Sequence, residues 1–182
     1  ENGLLLITAR REPFENRQYT SARLVTKGLH SWTYGYFEVR AKLPCGRGAW
    51  PAIWMLGTDS SLGNWPAIGE IDIMEHVGHD PGRVHATIHC SAYNHMKRTQ
   101  KGGSLSVPDA CSEFHLYSVH WTPESLVFSL DKRPFFRVNN EQKTRAEWPF
   151  DHPFYLLLNV AGGGSWGGQK GIDDSTFPQT LA

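Results

Sequence analysis

The segment Ile68–Gly78 constrains the fold more than any other part of the chain, because acidic and apolar residues alternate along it. It reads Ile-Gly-Glu-Ile-Asp-Ile-Met-Glu-His-Val-Gly. Successive side chains of a β-strand point to opposite faces, so Glu70 and Asp72 share one face of the predicted strand. Ile71 and Ile73 share the other face. The segment therefore predicts a strand with one acidic face and one apolar face.

The third acid, Glu75, is out of phase, because strict alternation assigns the acidic face to Met74. One extra residue, inserted as a β-bulge, restores the phase and turns Glu75 toward Glu70 and Asp72. An acidic strand face often only keeps a sheet soluble. Here, however, like charges crowd one face and no Lys or Arg lies between them to relieve the repulsion. We therefore interpret the three acids as a functional strip.

Paired carboxyl groups carry out glycoside hydrolysis, one as nucleophile and the other as general acid. The pattern Glu-x-Asp-x-x-Glu is the signature of the laminarinase branch of glycoside hydrolase family 16, and this chain resembles that branch over most of its length. The similar stretches are residues 35–44 (GYFEVRAKLP), 50–56 (WPAIWML), 69–78 (GEIDIMEHVG), 158–163 (LNVAGG) and 177–179 (FPQ). The resemblance implies that Glu70 is the nucleophile, Glu75 is the general acid and then base, and Asp72 assists Glu70.

Short apolar or alternating runs between Gly and Pro turns predict an all-β sandwich, and no long helical periodicity appears. The predicted strands outside the acidic segment are residues 3–9, 19–27, 33–43, 49–56, 84–92, 114–122, 125–131, 135–138 and 154–160. Residues 94–112 are predicted to be a long polar loop. We expect residues 1–182 to form a single catalytic domain. The resemblance sharpens the fold to a curved two-sheet jelly roll with an open cleft on its concave face.

The charge balance limits the partners, because 18 basic and 18 acidic residues cancel. This argues against nucleic acid or an anionic membrane as partner and weakens the case for a sulfated polysaccharide. No apolar run approaches the length of a membrane span. The resemblance implies a β-glucan polysaccharide as the partner. We expect the protein to be secreted or periplasmic, although these residues include no signal peptide.

Four tryptophans are candidates for substrate contacts, because indole offers a flat apolar surface and one N–H donor to a sugar ring. Trp65 and Trp166 lie in Gly-rich stretches, which favours a role in sugar binding over a place in the core. Trp50 and Trp54 share a strand face by their spacing, and the resemblance places both in the cleft. For any one tryptophan taken alone, burial in the core is the commoner outcome.

Polar candidates are weaker. His85 and His89 share a strand face, but their rings would stand about 13 Å apart, too far to share a zinc ion. The resemblance implies that His89 hydrogen-bonds near the acids, while a purely structural histidine is almost as plausible. The other candidates for sugar contacts, each balanced by a plain surface role, are Arg40, Tyr36 and Asn159, with Asn94 and His95 of the polar loop weaker still.

Cofactor needs are limited. Cys45, Cys90 and Cys111 allow at most one internal disulfide, and their spacing fits no zinc pattern. Carboxyl catalysis as implied here requires no cofactor. Calcium is a common structural ion in the family, but its ligands come largely from terminal strands, so no site is placed.

We predict a retaining endo-β-1,3-glucanase of laminarinase type. The nearest alternative is a mixed-linkage β-1,3-1,4-glucanase; the extra residue Met74 favours the former, because strict lichenases of the family have a shorter acidic motif. A glucan-binding protein without activity is the alternative from another class, but such relatives have typically lost the acids. We also expect the family's terminal strands to lie outside residues 1–182, or the sheets to be completed by pairing or strand swapping with a second copy.

Overall fold

The computed structural model describes residues 2–182, and β-strands dominate it. The strands are β1 (Ile7–Phe14), β2 (Arg17–Thr20), β3 (Arg23–Val25), β4 (Gly35–Ala41), β5 (Ala49–Gly57), β6 (Glu70–His76), β7 (Arg83–His89), β8 (Lys101–Ser106), β9 (His115–Trp121), β10 (Ser125–Leu130), β11 (Arg133–Asn139), β12 (Phe154–Gly162) and β13 (Gln179–Leu181). Two short 3-10 helices span Ser60–Leu62 and Asp174–Thr176. Among residues 2–182, no helix has the length and apolar character needed to cross a membrane.

Two antiparallel sheets form the sandwich. The larger sheet has the order β3-β12-β5-β6-β7-β8, which places the acidic strand β6 near its middle. The smaller sheet has the order β11-β10-β9-β4. A third, three-stranded sheet has the order β13-β1-β2, in which β1 pairs with both other strands. The predicted all-β jelly-roll sandwich is therefore confirmed.

The hydrophobic core lies between the two sheets and follows the alternation of each strand. Ile71 and Ile73 of β6, both almost fully buried, face this core. Tyr117, Val119 and Trp121 of β9 meet them from the smaller sheet and are equally buried. Burial of such side chains stabilises the fold by about 1.5–3 kcal/mol each. Because the apolar faces point inward, the opposite face of the larger sheet is left for the acids.

A disulfide joins the turn after β4 to the segment before β9, between Cys45 and Cys111. Cys90 is buried as a free thiol at the end of β7. The disulfide lies beside β6, because the Sγ atom of Cys45 is 3.7 Å from Nε2 of the buried His76.

Two strand predictions were wrong. Residues 94–112 contain β8, whose Lys-Gly-Gly-Ser-Leu-Ser sequence pairs with β7, because its two glycines hid the strand pattern. The predicted strand 3–9 becomes regular only at Ile7, and the side chains of residues 4–6 are exposed. The expectation about terminal strands and self-association stays a prediction, which light scattering would test.

Candidate active site

A β-bulge in β6 brings the three acids onto one face. Asp72 pairs with Trp54 of β5, but the next paired residue on β6 is Met74, opposite Ile53. The register toward β7 also shifts between Asp72 and Glu75. Two residues of β6 thus occupy the space of one. The predicted bulge is confirmed, and it turns Glu75 to the side of the sheet that carries Glu70 and Asp72.

The acids lie between two adjoining cavities on the open face of the larger sheet, with volumes of about 590 and 210 Å³. Glu70, Glu75 and Trp50 line both cavities. The larger cavity extends over β7 and β8 and is also lined by His85, Thr87, His89, His95, Gln100, Gly102, Gly103, Ser104, Ser165 and Trp166. The smaller cavity extends over β5, β12 and β3 and is also lined by Arg23, Ala52, Trp54, Asp72, Asn159 and Ala161. Together they form the predicted open cleft.

Each glutamate receives a hydrogen bond from a tryptophan N–H. Trp65 Nε1 donates to Glu70 Oε2 at 2.9 Å, and Trp50 Nε1 donates to Glu75 Oε1 at 3.1 Å. A donor fixed by an aromatic ring orients a carboxylate and stabilises its ionised form. Gly69, directly before Glu70, has a φ of +76° and no room for a Cβ, which would lie 2.8 Å from Phe154. Only a glycine fits this backbone conformation and this space, so Gly69 allows β6 to begin directly at Glu70.

Asp72 is the most deeply buried of the three acids, with 3% of its surface exposed. Its Oδ2 atom has no hydrogen-bond partner among the described residues, and His89 Nε2 is 3.4 Å away. The same His89 nitrogen is 3.8 Å from Glu70 Oε1. The structure thus places His89 beside the acids, where the resemblance implied it would be.

Burial dominates the ionisation of the acids. It raises the pKa of Glu70 to about 7, with the charge of Glu75 adding to the effect and the Trp65 N–H opposing it. It also raises the pKa of Glu75 to about 7, against the Trp50 N–H. The pKa of Asp72 is raised well above its usual value by burial and then by the charges of Glu70 and Glu75. The three groups therefore share protons, and near neutral pH the cleft holds both an ionised and a protonated carboxyl.

The neighbouring histidines are held neutral. Burial, together with a smaller effect of the nearby His95, lowers the pKa of His89 to about 4. Burial also lowers the pKa of His85, which lies opposite Glu75 in the β6–β7 pairing. Neutral imidazoles leave the proton balance of the cleft to the carboxyl groups.

Aromatic and amide groups form the wall of the smaller cavity. Trp54 Nε1 donates to Asn159 Oδ1 at 2.8 Å, although the two residues are 105 positions apart in the sequence. The guanidinium of Arg23 lies 5.6 Å from the centre of the Trp54 ring. A flat ring beside an amide and a guanidinium matches the apolar face and the hydroxyl groups of a sugar.

A second aromatic group packs on Trp50, the tryptophan that donates to Glu75. Trp166 packs edge-on against Trp50, with ring centroids 5.6 Å apart, and against His85, with centroids 4.9 Å apart. Trp166 comes from the loop after β12, so a distant part of the chain completes this wall of the larger cavity.

Tyr36 and Arg40 require a correction, because the structure does not place them with the acids. Both lie on β4, which belongs to the smaller sheet, and they line neither cleft cavity. The Tyr36 hydroxyl donates to Glu38 at 2.6 Å, and Arg40 lies 4.1 Å above the Phe114 ring. Alternation correctly separated the two faces of β4, but it could not assign the strand to a sheet.

Several cleft residues were missed or given little weight in the sequence, among them Arg23, His85, Thr87 and His95. The alternation of β7 already placed His85 and Thr87 on the face of His89, so these two could have been found. Arg23 lies on the three-residue edge strand β3, which carries no clear periodicity. Asn94 is buried and hydrogen-bonds to Cys90 and Ser91 carbonyls, so it supports the loop rather than the cavity.

Two groups of three side chains within residues 2–182 come close enough to share a metal ion: Cys45, His76 and Cys111, and Glu70, Asp72 and His89. Calcium prefers a shell of oxygen ligands. Because the first group offers sulfur and nitrogen and the second includes a histidine, neither fits calcium.

The comparisons with known proteins agree with this geometry. The sequence pattern described as Glycosyl hydrolases family 16 matches residues 2–176. The chain belongs to this family. A beta-glucanase from Rhodothermus marinus is 55% identical over 186 residues, which cover 98% of this chain but only 65% of that protein.

Solved structures of family 16 members superpose closely. The laminarinase from Rhodothermus marinus matches with a TM-score of 0.97 and 53% identity over 100% of this chain and 75% of its own. SCLam, a non-specific endo-β-1,3(4)-glucanase, matches with a TM-score of 0.94 and 48% identity over 100% of this chain and 69% of its own. The fold and the family are therefore shown at high sequence identity.

Proposed function

We propose that this family 16 protein is a retaining endo-β-1,3-glucanase of laminarinase type, which hydrolyses internal bonds of β-glucan polysaccharides. The observation that carries the proposal is the bulged strand β6, which presents Glu70, Asp72 and Glu75 on one face in an open cleft. An open cleft admits a long chain from either side, which suits cleavage at internal bonds. The similar laminarinase and beta-glucanase of Rhodothermus marinus support this substrate class.

In the proposed first step, Glu70 attacks the anomeric carbon while Glu75 donates its proton to the glycosidic oxygen. The leaving sugar departs with that proton, and the remaining sugar is bound to Glu70 as an ester. In the second step, Glu75 takes a proton from water, the resulting hydroxide attacks the anomeric carbon, and Glu70 leaves as a carboxylate. Carboxyl groups and water are sufficient for this reaction, so we propose that it requires no cofactor.

The surroundings of each acid suit its role. The Trp65 N–H favours the ionised form of Glu70, as a nucleophile requires. Asp72 holds its proton because it is buried, and it helps to keep Glu70 ionised through their hydrogen bond. The raised pKa of Glu75 lets this group carry a proton near neutral pH and release it during the reaction.

The release of reducing ends from laminarin tests the activity directly. We expect E70Q and E75Q to lower turnover by about 10³-fold or more while the fold and glucan binding are retained, and D72N to lower it less. The exposed E113Q is the matched control and should behave as the wild type. Near-normal turnover by E70Q would sink the proposed mechanism.

The stereochemistry tests the retaining path separately. Double displacement releases the new anomeric centre first in the β form, which proton NMR detects before mutarotation. We also expect a bell-shaped pH profile, with one limb for each essential carboxyl state. If the α-anomer is released first, Glu70 is not the nucleophile.

A broader substrate range is the alternative that a specific observation favours, because the similar SCLam is a non-specific endo-β-1,3(4)-glucanase. Parallel assays on laminarin and on mixed-linkage β-1,3-1,4-glucan decide between the two. A protein that binds laminarin tightly and releases no reducing ends would instead be a non-catalytic glucan-binding protein.

We further propose that the protein works outside the cytoplasm, in the medium or the periplasm. The disulfide between Cys45 and Cys111 supports this location, because such bonds persist in oxidising compartments. Polysaccharides too large to enter a cell are also met there. Fractionation of the native host with an antibody against the protein tests the location.

A further inference from the structure

We propose that His95, an exposed residue of the segment after β7, is a positioning residue that holds the Trp65 indole so that its N–H is directed at Glu70. Trp65 lies in the loop before β6 and donates to Glu70 Oε2 at 2.9 Å. This inference rests on the proposed role of Glu70 as the nucleophile.

His95 is the ring that packs most closely on Trp65. Their centroids are 4.9 Å apart and their planes are inclined by 32°. His89, from the floor of the cleft, also touches Trp65 but with a centroid distance of 5.9 Å. His89 and His95 meet edge-on at 5.3 Å, so the two imidazoles enclose one side of the indole. The contact between His95 and Trp65 is tilted rather than face-to-face, as is favourable for aromatic pairs.

The segment that carries His95 is rigidly attached to β7. Asn94 is 2% exposed, and its Nδ2 donates to the carbonyls of Cys90 and Ser91 at 3.0 and 3.2 Å. Its Oδ1 accepts from the Lys97 backbone N–H, and the Thr99 backbone N–H donates to the Asn94 carbonyl. His95 therefore stands on a turn whose backbone is fixed to the end of β7, the strand of His89.

The Trp65 indole needs such support because it comes from a loop rather than from a strand. Residues 63–69 lie between a 3-10 helix and β6, and Trp65 itself is only half-buried. Without His95, one side of the ring would face the larger cavity, in which His95 is a lining residue. The indole could then turn, and its N–H would leave Glu70.

The hydrogen bond has an electrostatic consequence that can be measured. The Trp65 N–H lowers the pKa of Glu70 against the effect of burial. The titratable or charged groups that face Glu70 from the packed elements are Asp72 and Glu75 of β6, His89 of β7, Tyr155 of β12 and Arg23 of β3. H95A leaves each of these side chains in the sequence, but it also removes the effect of His95 on the pKa of His89. A change in the ionisation of Glu70 therefore reports the position of Trp65 only when the Trp65 N–H signal changes with it.

The decisive experiment follows the Trp65 indole N–H by ¹⁵N NMR, assigned by the signal missing from W65F. In the wild type we expect this signal to titrate with Glu70, with a midpoint near pH 7. In H95A the midpoint should rise and the amplitude should fall, while H95F, which keeps a packed ring, should resemble the wild type. H30A is the matched control, because His30 stacks on Trp32, with ring centroids 6.1 Å apart, outside both cleft cavities.

Kinetics supply a second readout. We expect W65F to lower kcat by about 10- to 100-fold and H95A by about tenfold, with the acidic limb of kcat/KM moved to higher pH in both. In the W65F background, H95A should add little, because the hydrogen bond is already lost. An H95A variant with an unchanged Trp65 signal, or with a raised KM alone, would overturn the inference. A wild type that shows the titration but cleaves no glucan would instead count against the proposed function.

Discussion

At the scale of single residues, Glu70 and Glu75 combine burial with ionisation. Each lies in the cleft next to another acid, each receives one tryptophan N–H, and each has its pKa raised to about 7. Between the pKa of about 4.5 usual for a glutamate and that value, the folded protein binds more protons than the unfolded chain. Their ionisation therefore costs stability, and this loss grows as the pH rises through the window from about 4.5 to about 7.

Glutamine substitutions should therefore stabilise the protein at alkaline pH. We expect E70Q and E75Q to melt higher than the wild type at pH 8, by an amount equivalent to about 2 kcal/mol each, and to lose this advantage below pH 4. Thermal unfolding followed at both pH values measures the difference. E113Q, which alters an exposed glutamate, provides the baseline. An equal shift at pH 4 and pH 8 would show that the effect is not electrostatic.

Substitution of two tryptophans that differ in burial distinguishes an effect on substrate binding from an effect on stability. Trp166 lines the larger cavity, whereas Trp148 is 6% exposed and belongs to the core. We expect W166A to weaken laminarin binding with a small change in stability. We expect W148A to cost about 3–5 kcal/mol of stability and to leave binding intact where the protein is folded. Calorimetric titration and thermal unfolding of both variants give the comparison. A strongly destabilised W166A would show that Trp166 is a core residue rather than a binding residue.

At the scale of elements, the bulge in β6 is the feature on which the acidic strip depends. Ile73 and Met74 both point toward the core and are almost fully buried, because the extra residue of the bulge absorbs one step of the alternation. The strand can therefore keep an apolar face and still present Glu75 beside Glu70 and Asp72.

Changing the length of β6 at the bulge tests this dependence. Deletion of Met74 restores a regular strand with Glu75 still in phase, so we expect a protein that is less stable by about 2–5 kcal/mol but retains measurable activity. Insertion of one Ala between Met74 and Glu75 has two possible outcomes: if the bulge is kept, Glu75 turns toward the core, and if it is lost, Met74 takes the acidic face and Glu75 moves further from Glu70. Either outcome should abolish turnover. Circular dichroism and the laminarin assay follow both variants. Equal activity in the two would show that the phase of Glu75 does not matter.

At the scale of the whole molecule, one covalent link joins segments 66 residues apart, Cys45 in the turn after β4 and Cys111 before β9. Closing a loop of this length stabilises a protein by about 4 kcal/mol in the chain-entropy account. The link also holds the turn at Cys45 beside His76, the residue after Glu75.

We expect C45A/C111A to melt at a lower temperature than the oxidised wild type and at nearly the same temperature as the reduced wild type. Alkylation in denaturant without a reductant should modify one cysteine, Cys90, and with a reductant all three. Mass spectrometry counts the modified thiols. Three reactive cysteines in the protein as purified from an oxidising compartment would contradict the disulfide.

The sequence alone determined the features that depend on neighbouring residues along a strand. The alternation in Ile68–Gly78, from which only the acid Glu75 is out of phase, was enough to predict the strand, the bulge and the common face of the three carboxyl groups. The alternation of β7 likewise separated the histidine face from the core face. These predictions held because side-chain direction in a strand follows from local backbone geometry.

Only the tertiary structure decided which faces meet. Tyr36 and Arg40 have the same alternation as cleft residues but belong to the other sheet, and β8 forms a cleft strand although its two glycines suggested a loop. The hydrogen bond between Trp54 and Asn159 and the contact between Trp65 and His95 join distant parts of the sequence. The physical reason is that alternation defines two faces of a strand, whereas the order of strands in a sheet and the packing of loops depend on contacts that no local pattern encodes.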